Sequence, residues 1–487
     1  MSVTRQLIIN GDHVPAASGR TAQDISPWSG EVYAEVAAAG PEDVTRAVDA
    51  AEAAFPEWVS MAPSDRARIF SRAADLMEER TPDAIQLMAE EVGGVSSWAG
   101  FNAHLAAGIF RSAAAATTAT QGQILATDMP GKLSFGVRQP YGVCAAISPW
   151  NAPLILGTRA VAIPLAVGNT LVLKPSEDAP IACGLFIADV LLDAGLPPGV
   201  LNVVTSDRSD GPQVVEALIS DERVRNVNFT GSTKVGRTIG TLAAQHLKPA
   251  VLELGGKNSL VVLEDADLDY AVNAATFGAF MNAGQICMSV DRVVVDRRIA
   301  DEFGQAFAKK VADLPSGDPT KPETVIGPQV NQAAADRQWA QIQDAVDKGA
   351  RVLAGGDKPE GRVVPATVLA DITPEMRIHS EEIFGAATTI YAADDVDAAV
   401  AIANDTQYGL TAGVITENLR DGLAVARRLR TGIVHVNDQP VNDEPMAPFG
   451  GIQNSGYGKF GGEAGINSFT EIRWVTVQED GHASYPF

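Results

Sequence analysis

The chain has 487 residues, 46% of them hydrophobic, with 45 glycines and 28 prolines, which suits a turn-rich α/β protein too long for one ordinary core. A formal charge of −23 disfavours nucleic acid and anionic membrane surfaces as partners. Three cysteines and six histidines show no metal-ligand or disulfide spacing, so a reducing compartment and no metal are expected.

The first twelve residues, Met1 to Asp12, carry too short an apolar stretch for a signal peptide. The most membrane-like window, residues 154–173, is interrupted by Arg159, Pro164, Gly168 and Asn169, whereas a spanning helix wants about 20 predominantly apolar residues. A cytoplasmic location without membrane contact is expected. Residues 43–118 read as helices, with long Ala, Glu and Arg stretches at 65–80 and 103–116. Residues 122–140 alternate like a hairpin.

From residue 143 the pattern changes. Strands over 143–147, 170–174 and 200–204 alternate with helices after Asn151 and over 179–194, which argues a parallel, doubly wound sheet. The next strand, 227–230, runs into Gly231-Ser232-Thr233-Lys234-Val235-Gly236 and a helix to about residue 244. Backbone N–H groups and the positive end of a helix at a strand's carboxyl edge suit a pyrophosphate. Gly-x-Gly-x-x-Gly is absent, however, and a lone glycine turn of this kind is often structural. After Glu253 a second α/β alternation starts, with a helix over 267–280, a strand over 292–296, a helix over 300–313 and further units to residue 435. The tail over 468–478 alternates like an edge strand, which pairs with other chains unless protected.

Three residues are equipped for covalent chemistry at a carbonyl. Cys287 ends the polar loop Asn282-Ala283-Gly284-Gln285-Ile286-Cys287, which can hold a sulfur exposed, while Cys144 and Cys183 lie in apolar runs. The plainer reading of Cys287 is a small buried hydrophobe. Glu253 follows an apolar strand and precedes Gly255-Gly256, where burial would raise its pKa and fit it to activate water; an arbitrary glutamate is more often on the surface. Asn151 sits at a strand-to-helix turn, where it can donate to an oxyanion beside the Cys287 N–H or cap the helix.

Taken in chain order, Pro149-Trp150-Asn151, Lys174-Pro175-Ser176-Glu177, Phe229-Thr230-Gly231-Ser232-Thr233, Leu252-Glu253-Leu254-Gly255-Gly256-Lys257, the Cys287 loop and Glu381-Glu382-Ile383-Phe384-Gly385 resemble the aldehyde dehydrogenase superfamily. The resemblance covers essentially the whole chain, continuing through Pro448-Phe449-Gly450-Gly451 and Ser455-Gly456-Tyr457-Gly458. It implies an α/β aldehyde dehydrogenase-like fold with a Rossmann-type NAD-binding domain over 1–121 and 141–253 and an α/β catalytic domain over 254–467. A small β oligomerisation arm over 122–140 and 468–487 would make a homodimer or homotetramer.

The implied activity is NAD(P)-dependent oxidation of an aldehyde to the acid, with Cys287 as nucleophile, Glu253 as general base and Asn151 as oxyanion donor. Cofactor contacts are expected from Ser148, Pro149, Trp150, Lys174, Ser176, Glu177, Gly231, Ser232, Gly236, Leu254, Glu382 and Phe384. A carboxylate at Glu177 on the adenosine ribose favours NAD over NADP, and Lys174 softens that preference. The strings Trp150 to Ala160 and Gly284 to Ser289, with Asp443-Glu444-Pro445, look like those of benzaldehyde, vanillin and salicylaldehyde dehydrogenases, which implies an aromatic aldehyde as substrate. Ala152, Leu156 and Arg159 share one helical face. With Ile286, Met288 and Phe449 they form the expected substrate pocket, in which the small Ala152 leaves room for a ring. Arg159 could meet a ring hydroxyl or carboxylate, or form a buried salt bridge to another helix. The alternatives are an aliphatic, semialdehyde or CoA-acylating enzyme and a non-catalytic binding protein on the same scaffold.

Overall fold

Continuous apolar runs, rather than alternating ones, form the central strands of two large sheets, because helices cover both faces. In the computed structural model, which describes residues 3–479, 481 and 485–487, every residue of Val143–Ser148 and Thr170–Pro175 is buried. The first sheet has eight strands in the order Gly456–Tyr457, Ala250–Glu253, Val224–Thr230, Val143–Ser148, Thr170–Pro175, Leu201–Val203, Leu7–Ile9, Asp12–Val14. Its inner strands are parallel. The chain moves outward from Val143–Ser148 in one direction, then returns to add Val224–Thr230 on the opposite side. Strand order therefore reverses between these two, and a crevice opens at their carboxyl ends, where such sheets bind ligands.

The second sheet has seven strands, ordered Arg351–Ala354, Thr367–Ala370, Ala387–Ala393, Val290–Asp296, Asn258–Val262, Thr411–Ile415, Ile433–Val436. Glu253 is the last residue of its strand in the first sheet; Cys287 comes just before Val290, and Glu382 and Phe384 just before Ala387. Carboxyl ends of the first sheet thus meet amino ends of the second, and the candidate residues gather at that seam.

Four helices, Pro41–Ser60, Pro63–Glu79, Thr81–Val92 and Ser96–Ala116, precede the inner strands, and the first three start with a proline in the first two positions, where its missing N–H costs nothing. All residues of Pro153–Ala166 are buried between the helix Ser96–Ala116 and the first sheet, which explains the unbroken apolar character of that stretch. No helix of the described residues is long and apolar enough to cross a membrane.

Two local features differ from expectation. The helix expected over 179–194 opens as a π turn, Ile181–Leu185, where the buried Glu91 carboxylate accepts from the Ile181 and Ala182 N–H groups at 2.6 and 2.7 Å. Before residue 40 lie five strands of three to six residues that the sequence did not disclose; runs this short carry little periodicity to read.

Thr470–Gln478 pairs antiparallel with Lys132–Pro140 along its whole length, and Gln123–Ile124 adds to the other edge. This ribbon leaves Ile124, Ile472 and Trp474 largely exposed. Residues 480 and 482–484 of the expected arm lie outside the described residues.

Candidate active site

The thiol loop begins where the helix Leu268–Phe280 ends. Asn282, Ala283 and Gly284 all take positive φ, at 52°, 51° and 72°. Asparagine and glycine tolerate this conformation, but for Ala283 it costs roughly 1–2 kcal/mol, so the neighbours must hold the loop in place. They do so from several sides. Asn282 Nδ2 donates to the Asn151 carbonyl at 3.0 Å, Gln285 Oε1 accepts from the Val330 N–H at 2.9 Å, and Asn258 Nδ2 donates to the Cys287 carbonyl at 2.8 Å. A Cβ at Gly284 would lie 2.0 Å from the Gly385 carbonyl oxygen, so the loop packs directly on the segment bearing Glu382 and Phe384.

Asn151 is not the helix cap. That position falls to Ala152, whereas the Asn151 amide donates to the Gln285 carbonyl at 3.0 Å, beside the thiol. Trp98 Nε1 fixes the same residue by donating to its carbonyl at 3.0 Å. An amide nitrogen carries two hydrogens, so one remains for an oxyanion.

Glu253 is fully buried and neither carboxyl oxygen has a hydrogen-bond partner among the described residues. Loss of water pushes its pKa up to about 8, against the pull of the Arg159 guanidinium. Cys287 is half-buried, whereas Cys144 and Cys183 are wholly enclosed. Its thiol is also held well above the usual range, by desolvation and then by the Glu253 and Glu382 carboxylates. The thiol must therefore lose its proton before it can add to a carbonyl.

On one side of Cys287 opens a polar cavity of about 420 Å³ that leads into a cleft of about 1070 Å³ along the switch point of the first sheet. Ser148, Pro149, Trp150, Lys174, Ser176, Glu177, Gly231, Ser232, Glu382 and Phe384 line this passage. Gly236 and the Leu254 side chain do not: they pack on each other, with a Cβ at Gly236 falling 2.3 Å from Leu254. The Glu382 carboxylate accepts from the Gly256 N–H at 2.8 Å and is pushed up to about 7, chiefly by burial. Phe384 takes a φ of 48° and meets Trp150 edge-on at 5.7 Å. At the far end Lys174 pairs with Glu177, and a Cβ at Gly211 would sit 2.7 Å from Glu177 Oε1, leaving that corner open for a sugar hydroxyl. Residues this size of pocket also uses, and which the sequence did not single out, include Arg208, Arg337 and Gln341. The last two stand one turn apart on the helix Gln332–Asp347, a weak signal in the absence of any motif.

On the other side lies a narrow apolar cleft. Ala152, Leu156, Arg159, Ile286, Met288 and Phe449 all line it, joined by Trp98, Phe101, Ile155, Val441 and Asp443. Arg159 does form a buried ion pair, at 2.5 Å, but with Asp443 on a loop rather than with another helix. Its guanidinium also lies 4.3 Å over the Phe449 ring. Arg159 Nη1 and Asp443 Oδ1 remain buried without partners among the described residues.

The aldehyde dehydrogenase family profile matches residues 13–475. The chain is 47% identical to a vanillin dehydrogenase of Pseudomonas fluorescens and 44% identical to a salicylaldehyde dehydrogenase of Pseudomonas putida, in both cases over 99% of each chain. Among solved structures it resembles a salicylaldehyde dehydrogenase from Pseudomonas putida G7 complexed with salicylaldehyde, with a TM-score of 0.97 and 44% identity over all of both chains. PnpE in complex with nicotinamide adenine dinucleotide gives a TM-score of 0.95 at 36% identity over 99% of each chain. With a family match over nearly its full length, and with the thiol, carboxylate and amide converging at the seam of two sheets, the chain belongs to the aldehyde dehydrogenase family.

Proposed function

We propose that this enzyme oxidises an aromatic aldehyde to its carboxylic acid, using NAD in preference to NADP. The observation that carries the reading is the position of Cys287 between two clefts, one long and bordered by many polar and charged side chains, one narrow and almost wholly apolar. In this scheme the Cys287 thiol gives its proton to solvent water, and the thiolate adds to the carbonyl carbon to form a C–S bond. The Asn151 amide and the Cys287 N–H donate to the resulting alkoxide. NAD(P), bound along the polar cleft, supplies the acceptor for the hydride that the thiohemiacetal carbon loses. Glu253 then takes a proton from water, whose oxygen attacks the thioester; the C–S bond breaks and the thiolate is restored.

The first sheet is assigned to the cofactor and the second to the thiol. The exposed apolar face of the ribbon Lys132–Pro140 and Thr470–Gln478 is assigned to self-association, and the protein to the cytoplasm. Aromatic preference is supported by Trp98, Phe101 and Phe449 in the apolar cleft and by the relatives named vanillin and salicylaldehyde dehydrogenase. A ring hydroxyl would find a donor in Arg159 Nη1 and an acceptor in Asp443 Oδ1, each otherwise unmatched. NADH formation over a panel of benzaldehyde, vanillin, salicylaldehyde, acetaldehyde and succinic semialdehyde, with and without coenzyme A, tests this. Aromatic aldehydes are expected to give the highest kcat/KM without coenzyme A, and a clear preference for short aliphatic aldehydes would overturn the substrate class.

A further inference from the structure

Lys257 closes the string that begins at Leu252, and no step of the reaction uses it. Its ammonium is buried and meets the buried Asp291 carboxylate at 3.1 Å. The same oxygen, Asp291 Oδ2, accepts from the Ile383 N–H at 3.0 Å. From another element, the helix Gln332–Asp347, the buried Gln341 amide donates to the Glu382 carbonyl at 3.2 Å. Both polar groups of the Glu382–Ile383 peptide are therefore held by buried side chains, its N–H by Asp291 and its C=O by Gln341. The Glu382 carboxylate accepts from the Gly256 N–H at 2.8 Å, and Phe384 follows in a left-handed conformation at φ 48°. Because Gly256 and Lys257 are neighbours, one strand end grips this segment twice, directly at Glu382 and through Asp291 at Ile383. Glu382 and Phe384 both line the polar cavity beside Cys287. A phenylalanine stays in the left-handed region only when its surroundings hold it there.

We propose that Asp291, kept in place by Lys257, is a positioning residue for hydride transfer: by holding the Ile383 N–H it fixes the peptide that sets Glu382 and Phe384 against the cofactor. The proposal rests on the reading that Glu382 and Phe384 contact NAD(P) in the polar cleft. A carboxylate bonds an N–H more strongly than a neutral acceptor does, and the Lys257 ammonium supplies the counter-charge that an enclosed carboxylate needs. The thiol and Glu253 have ties of their own. Asn258 Nδ2 donates to the Cys287 and Ser289 carbonyls at 2.8 and 2.9 Å, and Leu252 and Glu253 pair antiparallel with Tyr457 and Gly456. Loosening the clamp therefore shifts the hydride acceptor relative to the thiol and leaves the thiol and Glu253 where they are.

The test replaces the two residues together, so that no buried charge is stranded. D291L/K257M removes the acceptor and fills its space, whereas D291N/K257M removes both charges but keeps an oxygen for the Ile383 N–H. D291L/K257M is expected to lower kcat/KM for NAD and the single-turnover rate of NADH formation by about ten- to a hundredfold, as a displacement of about 1 Å does, and D291N/K257M to recover most of that loss. Hydrolysis of p-nitrophenyl benzoate without NAD separates this role from support of the fold. There the Cys287 thiolate expels nitrophenolate and Glu253 takes a proton from the water that releases benzoate, with no hydride to transfer. That rate is expected to be retained in both variants. An ester rate that falls in step with NADH formation, a D291N/K257M enzyme as slow as D291L/K257M, or wild-type NADH kinetics in D291L/K257M overturns the proposal. Wild type carries a check that needs no variant to fold: the Ile383 amide must exchange its hydrogen slowly, and rapid exchange overturns the clamp. E382A/F384A is measured beside them. If it keeps the wild-type kcat/KM for NAD, these side chains make no cofactor contact and the proposal falls with that reading; if it loses kcat/KM while D291L/K257M is unaltered, the role of Asp291 alone falls.

Discussion

The two clefts that meet at Cys287 carry ion pairs that differ in how far their carboxylates reach water. Arg159 and Asp443 are sealed from water, with side chains 6% and 4% exposed, and each leaves a polar atom unmatched. Lys174 and Glu177 stand in the wall of the wide cleft; Lys174 is 5% exposed but Glu177 is 20% exposed, and Ser206 Oγ reaches the same carboxylate at 3.4 Å. Removing one member of a sealed pair strands a buried charge, whereas a pair with one member reaching water loses less when broken. The contrast teaches that the narrow end has one fixed arrangement, while at the end proposed for the ribose the Glu177 carboxylate is within reach of an incoming ligand.

The largest expected effect falls where the clefts join. Cys287→Ala should lower turnover by at least about 10⁴-fold, as loss of a nucleophile does elsewhere, with NAD affinity by fluorescence titration nearly unchanged. Cys144→Ala and Cys183→Ala, in contrast, should cost about 1 kcal/mol of stability and little activity, since both thiols are enclosed. Comparable loss of turnover in all three would erase the distinction between the seam and the core.

The two ion pairs come next. Asp443→Ala should destabilise by about 3–5 kcal/mol in denaturant titration, and Glu177→Ala by less, since its partner Lys174, though itself buried, borders the open cleft. Equal costs would break the comparison. Glu253 adds a pH dependence with a definite sign. Its carboxyl keeps a proton to about pH 8 when folded, against an ordinary 4.5, so the folded state binds the extra proton and wild type loses stability as pH rises between those values. E253Q lacks that loss, and its Tm should gain on wild type from pH 5 to pH 9; parallel Tm curves would contradict the burial argument.

Smaller effects probe each cleft's selectivity. Arg159→Leu should cost hydroxylated benzaldehydes roughly ten- to a hundredfold more in kcat/KM than benzaldehyde itself, the worth of about 1.5–3 kcal/mol for a charge-assisted hydrogen bond. Equal losses on all of them would assign Arg159 to packing. Glu177→Ala should raise kcat/KM with NADP relative to NAD by several-fold, and an unchanged ratio would remove the carboxylate from cofactor choice.

The proposed cofactor side was legible as contiguous strings and the proposed substrate side only in part, for a physical reason. Phosphate and ribose sites are made at the ends of parallel strands, so Pro149-Trp150-Asn151, Lys174 to Glu177 and Gly231-Ser232 appear as contiguous strings. Gly236 and Leu254, expected with them, instead serve close helix–strand packing. The apolar cleft draws Trp98, Phe101 and Val441 from distant segments, where each looks like any core hydrophobe. Asp443 stood in a recognised string, yet its bond to Arg159 depends on a loop closing over a helix, which no local pattern encodes. In the same way the alternation of strands and helices was readable from residue 143 onward, while the short strands before residue 40 were not. Burial of Glu253 was readable from the apolar run before it, but its lack of a hydrogen-bond partner among the described residues needed the structure, since it follows from what packs around the strand end.

The central claim is that Cys287 alone bonds to the substrate, with Glu253 releasing it. Mixing E253Q with NAD and benzaldehyde, quenching after one turnover and mapping peptides by mass spectrometry tests this directly. A benzoyl group on the Cys287 peptide, formed in step with the NADH burst, is the predicted result; an acyl group on Cys144 or Cys183, or steady release of acid with no adduct at all, would contradict it.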